Sequence, residues 1–288
     1  MRYYIVDVFA EQRYQGNQLA VFAPLAPLPK ETMQQIAKEI NYHETTFIVS
    51  PKQPDGGYDV RIFTPDIEVP FAGHPTLGTA YIIHHMLEQG SDTTVRLNLE
   101  AGQIPVTIDG ERLTMRQNPP VFGEPLADRE QICRILQIEP GDLDPDYPIQ
   151  IVSTGLPAYI VPLRSLDALN RCRIEPDAYQ RLIDTVHKAN ILAFTRETIN
   201  PEHDIHVRVF LDDPGFAEDP ATGSANGNLA GYLIAHRYFG ERRLSYRAEQ
   251  GYQTGRPSLL HVEAEQQEEA IDIFVGGQVF LQARGEWL

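Results

Sequence analysis

PFAGHPTLGTAYII, residues 70–83, contains no Asp, Glu, Lys or Arg and shows no polar stripe at helical spacing. A helix that is apolar all round belongs in an interior rather than on a surface. Gly78, Thr79 and Ala80 are small, so strands could approach such a helix closely. Its start is the chemically distinctive part. Proline suits the first turn of a helix, and the residue before a proline is pushed away from α geometry. Pro75 is therefore expected to open the helix, with His74 as its cap or next to it, and the segment to run to about Leu87. The first backbone N–H groups of a helix lack intrahelical partners and lie at the positive end of its dipole, which favours an anion there.

The same pattern recurs. An offset of 147 residues superposes VRIF (60–63) on VRVF (207–210) and Phe47 on Phe194. An offset of 150 superposes AGHPTLGTA (72–80) on TGSANGNLA (222–230), placing Gly73 over Gly223, His74 over Ser224 and Ala80 over Ala230. Internal repetition of this kind implies two pseudo-equivalent halves. Each would be a sheet curled around one buried helix.

The remaining segments fit short strands with a few helices. Strands are expected at 2–9, 18–23, 45–49, 58–64, 93–99, 103–109 and 112–117, with an amphipathic helix at 29–41 carrying Met33, Ile36, Ala37 and Ile40 on one face. NPPVFGEPL (118–126) reads as a connector. Beyond it, strands are expected at 149–154, 158–162, 190–195 and 205–211, and a helix at about 175–187. A second apolar helix begins near Ala221, and strands close the chain. The expected class is α+β, with two pseudo-symmetric domains, each a mostly antiparallel, barrel-like sheet around a central apolar helix. The expected domains are residues 1–117 with about 276–288, and 118–275.

Composition narrows the function classes. The chain has 288 residues, 42% hydrophobic and 22% charged, with a formal charge of −16. No basic face is visible that would neutralise phosphates, so nucleic acid is not an expected partner. No apolar run approaches the roughly 18 residues of a membrane span, and MRYYIVDVF reads as a strand rather than a signal peptide. A cytoplasmic location is expected. Cys133 and Cys172 lie on unrelated stretches and are read as free thiols. No CxxC, HExxH or paired-histidine spacing suggests a metal, and no GxGxxG or GxxxxGK[ST] suggests a nucleotide.

Candidate residues follow from the two helix starts. His74 and Ser224 occupy equivalent positions, and Asp219 precedes Pro220 just upstream of the second start. Glu44 lies at the beginning of a strand in HETTFIVS. Each has an ordinary structural reading: a histidine or serine cap, an aspartate initiating a turn, a solvated glutamate. The concurrence of His74, Ser224 and Asp219 at the matching helix starts favours a site for a small carboxylate.

The strings VDVFAEQRYQGNQLAVF (6–22), HETTFIV (43–49), RIFTPDIEVPFAGHPTLGTA (61–80) and EDPATGSANGNLAGYL (218–233) resemble, in order, the signatures of the PhzF-like family of phenazine-biosynthesis isomerases. The resemblance implies the diaminopimelate epimerase-like fold, with the active site in the cleft between two similar domains. It implies that Glu44, in the ETTF motif, moves a proton between two carbons. It further implies that His74, Asp219 and Ser224 line the substrate site, with Gly73 and Gly223 presenting backbone N–H groups. A reaction that needs no cofactor, on a small carboxylated substrate, and a homodimer, are expected on the same basis. His43 and Gln18 depart from the family's usual serine and proline, which leaves substrate identity open.

Two other readings stay open. One is a non-catalytic small-molecule binding protein that keeps the cleft. The other is an epimerase or racemase of the two-thiol type, disfavoured because Ala72 and Thr222 stand where those relatives carry thiols before the glycine of each helix start.

Overall fold

The structure is a computed structural model that describes residues 1–90, 92–185, 188–212, 215–268 and 270–288. Along the chain the elements are β1 (Arg2–Val8), β2 (Asn17–Ala23), α1 (Lys30–Ile40), β3 (Thr45–Ile48), β4 (Gly57–Phe63), β5 (Glu68–Val69), α2 (Gly73–Ile82), β6 (Thr94–Leu99), β7 (Gly102–Asp109) and β8 (Arg112–Arg116). They continue as β9 (Val121–Pro125), α3 (Arg129–Leu136), β10 (Gln150–Ser153), β11 (Pro157–Pro162), α4 (Leu166–Arg171), α5 (Pro176–Thr185) and β12 (Asn190–Thr195). The last are β13 (Ile205–Phe210), β14 (Glu218–Asp219), α6 (Gly223–Ala235), β15 (Arg243–Gln250), β16 (Ser258–Gln266) and β17 (Ile271–Glu286). They fall into two compact units, Met1–Arg116 with Gly276–Leu288, and Gln117–Val275.

In the first unit, eight strands pair in a closed ring: β1, β2, β3, β4, β6, β7, β8 and the latter part of β17, which returns to β1. The steps β2 to β3 and β4 to β6 are parallel, and β1–β2, β3–β4, β6–β7, β7–β8 and β17–β1 are antiparallel. Helix α2 fills the ring and packs against β1, β2, β3, β6, β7 and β8. Every α2 residue except Tyr81 is buried, as its lack of a polar face requires. The fit depends on Gly78, where a Cβ would come within 2.6 Å of Leu19 and 2.9 Å of Val8. Outside the ring, Met33, Ile36 and Ala37 of α1 cover Ala20, Phe22, Phe47 and Phe63. With helices on both sides, β2 reads as a nearly continuous apolar run instead of an alternating one.

The second unit repeats the plan. Strands β9, β10, β11, β12, β13, β15 and β16 pair in that order, with parallel steps at β11–β12 and β13–β15. Helix α6 packs against β10, β11, β12, β15 and β16. All twelve residues from Gly223 to Ile234 are buried. A second cluster, including Ile132, Leu136, Leu169 and Leu182 of α3, α4 and α5, covers Tyr159, Val161 and Ile191 on the opposite face of the strands. The α+β class with a sheet wrapped around a central helix is thus observed.

Several sequence expectations need correction. The connector at 118–126 contains strand β9, paired antiparallel with β10. All five of its residues are exposed, so hydrogen bonding rather than burial defines it, and no apolar alternation announced it. Helices α3 and α4 were not expected; they are short, eight and six residues, and are capped by Asp128 and Ser165. Helix α2 starts at Gly73 after Ala72, so His74 is its second residue and Pro75 its third. Pro75 fits there because a first-turn N–H has no intrahelical partner to lose. The α geometry ends at Ile82, and Ile83–Leu87 form a wider π turn. The last two residues of the helix expected at 175–187 lie outside the described residues.

Candidate functional site

At the start of α2, Ala72 is extended and no side chain caps the helix. Thr76 supplies the first N–H that returns to the Ala72 carbonyl, at 3.3 Å, and its hydroxyl donates to the same oxygen at 2.8 Å. The N–H groups of Gly73 and His74 precede that bond. They form the positive end of a helix whose sides are apolar.

His74 is 5% exposed. The Asn17 amide nitrogen lies 3.2 Å from its Nδ1, and Glu44 Oε2 lies 3.5 Å from its Nε2. Burial pushes the imidazole pKa down to about 3, and the nearby His43 adds to this, while a hydrogen bond to the Gln18 backbone opposes it. The ring is therefore neutral near pH 7, with one N–H and one lone pair. Nε2 is the ring nitrogen that faces Glu44.

Glu44 immediately precedes β3, and its side chain keeps 19% of its surface exposed. Strand β3 is tied to the helix by the hydroxyls of Thr46 and Thr79, 2.8 Å apart. The first unit thus brings together Glu44, His74 and the first-turn N–H groups of Gly73 and His74. Asn17, fully buried, was not among the sequence candidates, although it lies in the QGNQLAV string. Its role becomes visible only through the closure of β2 against the helix start.

At the start of α6, Thr222 is extended and again no side chain caps the helix. Asn226 replaces Thr76: its backbone N–H and its Nδ2 donate to the Thr222 carbonyl at 3.1 and 3.0 Å. Gly223, Ser224 and Ala225 precede it with first-turn N–H groups, and Gly223 and Ser224 are both buried. Asp219 is 7% exposed, and its Oδ2 accepts from the Thr222 hydroxyl at 2.5 Å. The second unit thus groups Asp219, Gly223 and Ser224. Gln250, which bonds to this loop through both ends of its amide, had no signal in the sequence.

Among the described residues, no three His, Cys, Asp or Glu side chains are grouped to hold a metal ion. Cys133 and Cys172 are free and buried; burial raises both thiols, that of Cys172 to about 12. Among the described residues, no helix is long and apolar enough to cross a membrane.

The profile of the family described as "Phenazine biosynthesis-like protein" matches residues 6–284. The chain is 34% identical to trans-2,3-dihydro-3-hydroxyanthranilate isomerase of Pseudomonas aeruginosa, over 98% of both chains. Its structure is similar to the crystal structure of a Bacillus anthracis phenazine biosynthesis protein of the PhzF family, with a TM-score of 0.90 and 26% identity, covering 100% and 99% of the two chains. A hydroxyproline epimerase of Agrobacterium vitis shares the fold at a TM-score of 0.61 and 14% identity, covering 99% of this chain and 90% of that one.

Proposed function

The chain belongs to the phenazine biosynthesis-like protein family and is an isomerase; from that premise we propose that it relocates a carbon-bound proton on a small carboxylated substrate, without a cofactor, using Glu44 as general acid and base. The observation that carries this reading is the Glu44 carboxylate, 3.5 Å from the buried, neutral His74 at an uncapped helix start. Glu44 takes a proton from one carbon as that C–H bond breaks. The electron pair shifts along the adjoining double bond, and Glu44, whose proton exchanges with solvent in between, delivers a proton to the carbon at its far end. No electrons are gained or lost overall.

Negative charge develops on the substrate as the proton leaves, and fixed donors aimed at it lower the barrier. A neutral His74 can donate a hydrogen bond without neutralising Glu44 outright, so the carboxylate stays basic enough to work. The N–H of Gly73, with those of Gly223 and Ser224 and the carboxylate of Asp219, is assigned to binding the substrate's polar groups. The two-thiol mechanism has no support: the residues before the two glycines are Ala72 and Thr222, and both cysteines are buried elsewhere.

The test is incubation with trans-2,3-dihydro-3-hydroxyanthranilate in D₂O, following carbon-bound deuterium by NMR. Glu44→Gln is expected to slow incorporation by about 10²–10⁴-fold. Incorporation unchanged in that variant would remove Glu44 from its role, and ligand binding with no exchange in the wild type would favour a binding protein. We further propose a homodimer, checked by a light-scattering mass of twice the 32.5 kDa chain.

A further inference from the structure

The end of β15 is a platform under the start of α6, built from three consecutive residues with different tasks. Gln250 is fully buried. Its Oε1 accepts from the Thr222 N–H at 3.2 Å and from Asn226 Nδ2 at 3.0 Å. Its Nε2 donates to the Asp219 carbonyl at 2.8 Å and to the Thr222 hydroxyl at 3.1 Å. Both protons and both lone pairs of the amide are thereby used. The chain of bonds ends on a candidate site group, because that same Thr222 hydroxyl donates to Asp219 Oδ2 at 2.5 Å.

The neighbours of Gln250 hold it in place. Glu249, also fully buried, accepts from the N–H groups of Ile199 and Asn200 at 2.5 and 3.1 Å. The Nδ1 atoms of His203 and His206 lie 2.7 and 2.6 Å from its two oxygens. Gly251 has φ +79°, and a Cβ there would overlap the carbonyl oxygens of Pro220 and Arg256. The backbone on one side of Gln250 is therefore anchored, and on the other it is pressed against the loop that leads into α6.

The repeat supplies a control. The 150-residue offset that superposes the helix starts puts Glu100 under Gln250 and Ala101 under Gly251. The Ala101 N–H bonds the Pro70 carbonyl at 3.2 Å, so this strand end also meets the loop before its helix. Glu100, however, is exposed. The backbone arrangement is common to both units, and the buried amide belongs to the second.

We propose that Gln250 is a positioning residue, which holds the Asp219 carboxylate and the first turn of α6 in their substrate-binding geometry. This rests on the assignment of Asp219, Gly223 and Ser224 to substrate binding. The test compares Gln250→Met, which keeps the volume and loses the hydrogen bonds, in wild-type and Asp219→Asn backgrounds. With trans-2,3-dihydro-3-hydroxyanthranilate, KM is expected to rise about tenfold in the wild-type background with kcat changed less. In the Asp219→Asn background the same substitution is expected to raise KM by a smaller factor, because only its hold on the first turn of α6 remains to be lost. An equal fold-change in both backgrounds would overturn the proposal.

A crystal structure of Gln250→Met gives a readout independent of turnover. Displacement of residues 219–222 by more than about 0.5 Å, with the Asp219 carboxylate turned off Thr222, is expected. Superposition within that distance would overturn the proposal, whatever the enzyme acts on. Loss of all turnover in the wild type, with that displacement present, would instead count against the functional reading alone. If Gln250→Met does not fold, Gln250→Glu is read by the same measures; it keeps one acceptor and replaces the donor facing the Asp219 carbonyl.

Discussion

At the start of α2 the residue before the helix is Ala72, a neutral histidine stands second in the helix, and a carboxylate approaches it from the strand behind. At the start of α6 these places hold Thr222 and Ser224, and the nearby carboxylate, Asp219, is bound by Thr222 within a fixed amide network. Both helices begin uncapped, and both bring the side chain of the fourth residue back to the carbonyl before the helix. The repeat thus keeps the backbone donors and varies the side chains. One start sets a carboxylate beside a neutral imidazole, and the other holds its carboxylate within a hydrogen-bonded amide network.

The ion pairs below the two starts differ in the same sense. Arg61 donates through Nε and Nη2 to Glu68 at 2.6 and 2.7 Å, and Arg208 does the same to Glu218 at 2.9 and 2.7 Å. The Arg61 side chain is 31% exposed and that of Arg208 only 4%. Arg208 also donates to the carbonyls of Leu169 and Cys172, both at 2.9 Å, at the end of α4. Removing one partner of a buried pair strands the other, so Arg208→Met is expected to cost about 3–5 kcal/mol. Arg61→Met is expected to cost about 1 kcal/mol or less, because water can replace the arginine. Equal shifts in urea unfolding midpoints for the two variants would break the contrast.

The helix interiors sharpen it on a smaller scale. A Cβ on Gly78 would meet Leu19 at 2.6 Å, Val8 at 2.9 Å and Val6 at 3.1 Å, whereas on Gly231 it would meet Pro120 at 2.8 Å and Ile273 at 3.5 Å. Overpacking of this kind costs about 1–3 kcal/mol. Gly78→Ala is expected near the top of that range and Gly231→Ala near the bottom, by the same unfolding measurement. The opposite order would show that the closed ring around α2 yields more easily than the sheet around α6.

A further contrast concerns pH. His74 has its pKa lowered from 6.5 to about 3 in the folded protein. Between those values the unfolded chain binds a proton that the folded chain does not. Stability from this group is therefore fully present above 6.5 and is lost as pH falls towards 3, by at most about 1.4 kcal/mol per pH unit. His74→Asn is expected to flatten the dependence of the unfolding midpoint on pH between 6.5 and 5, and Ser224→Ala to leave it unchanged. A slope that persists in His74→Asn would assign it to other groups.

The parts of the molecule legible in the sequence are those where one residue pattern dictates one environment. A helix without a polar face must be surrounded, so α2 and α6 could be placed as central elements from residues 70–83 and 221–235 alone. The matched strings VRIF and VRVF marked strands with the same neighbours in each unit, and the arginines within them make equivalent ion pairs. Strand β9 was not legible because it buries nothing, and α3 and α4 were not because six to eight residues give little periodicity to read.

Among the candidate residues, Glu44, His74, Asp219 and Ser224 were found through motifs, yet motifs carry no distances. The approach of Glu44 to His74 depends on β3 and α2 being fastened through Thr46 and Thr79, residues that are 33 positions apart. Asn17 and Gln250 escaped notice because a lone buried amide has no periodicity and no characteristic spacing. Its meaning lies wholly in what it touches.

The sequence alone determined the class of the fold, the two buried helices and the polar character of their starts, because hydrophobic burial and helix geometry act over a few neighbouring residues. The tertiary structure decided which groups meet at those starts. It made His74 neutral by burying it, set Glu44 beside it, and locked Asp219 through Thr222 to Gln250, since desolvation and hydrogen bonding depend on distances between residues far apart in the chain.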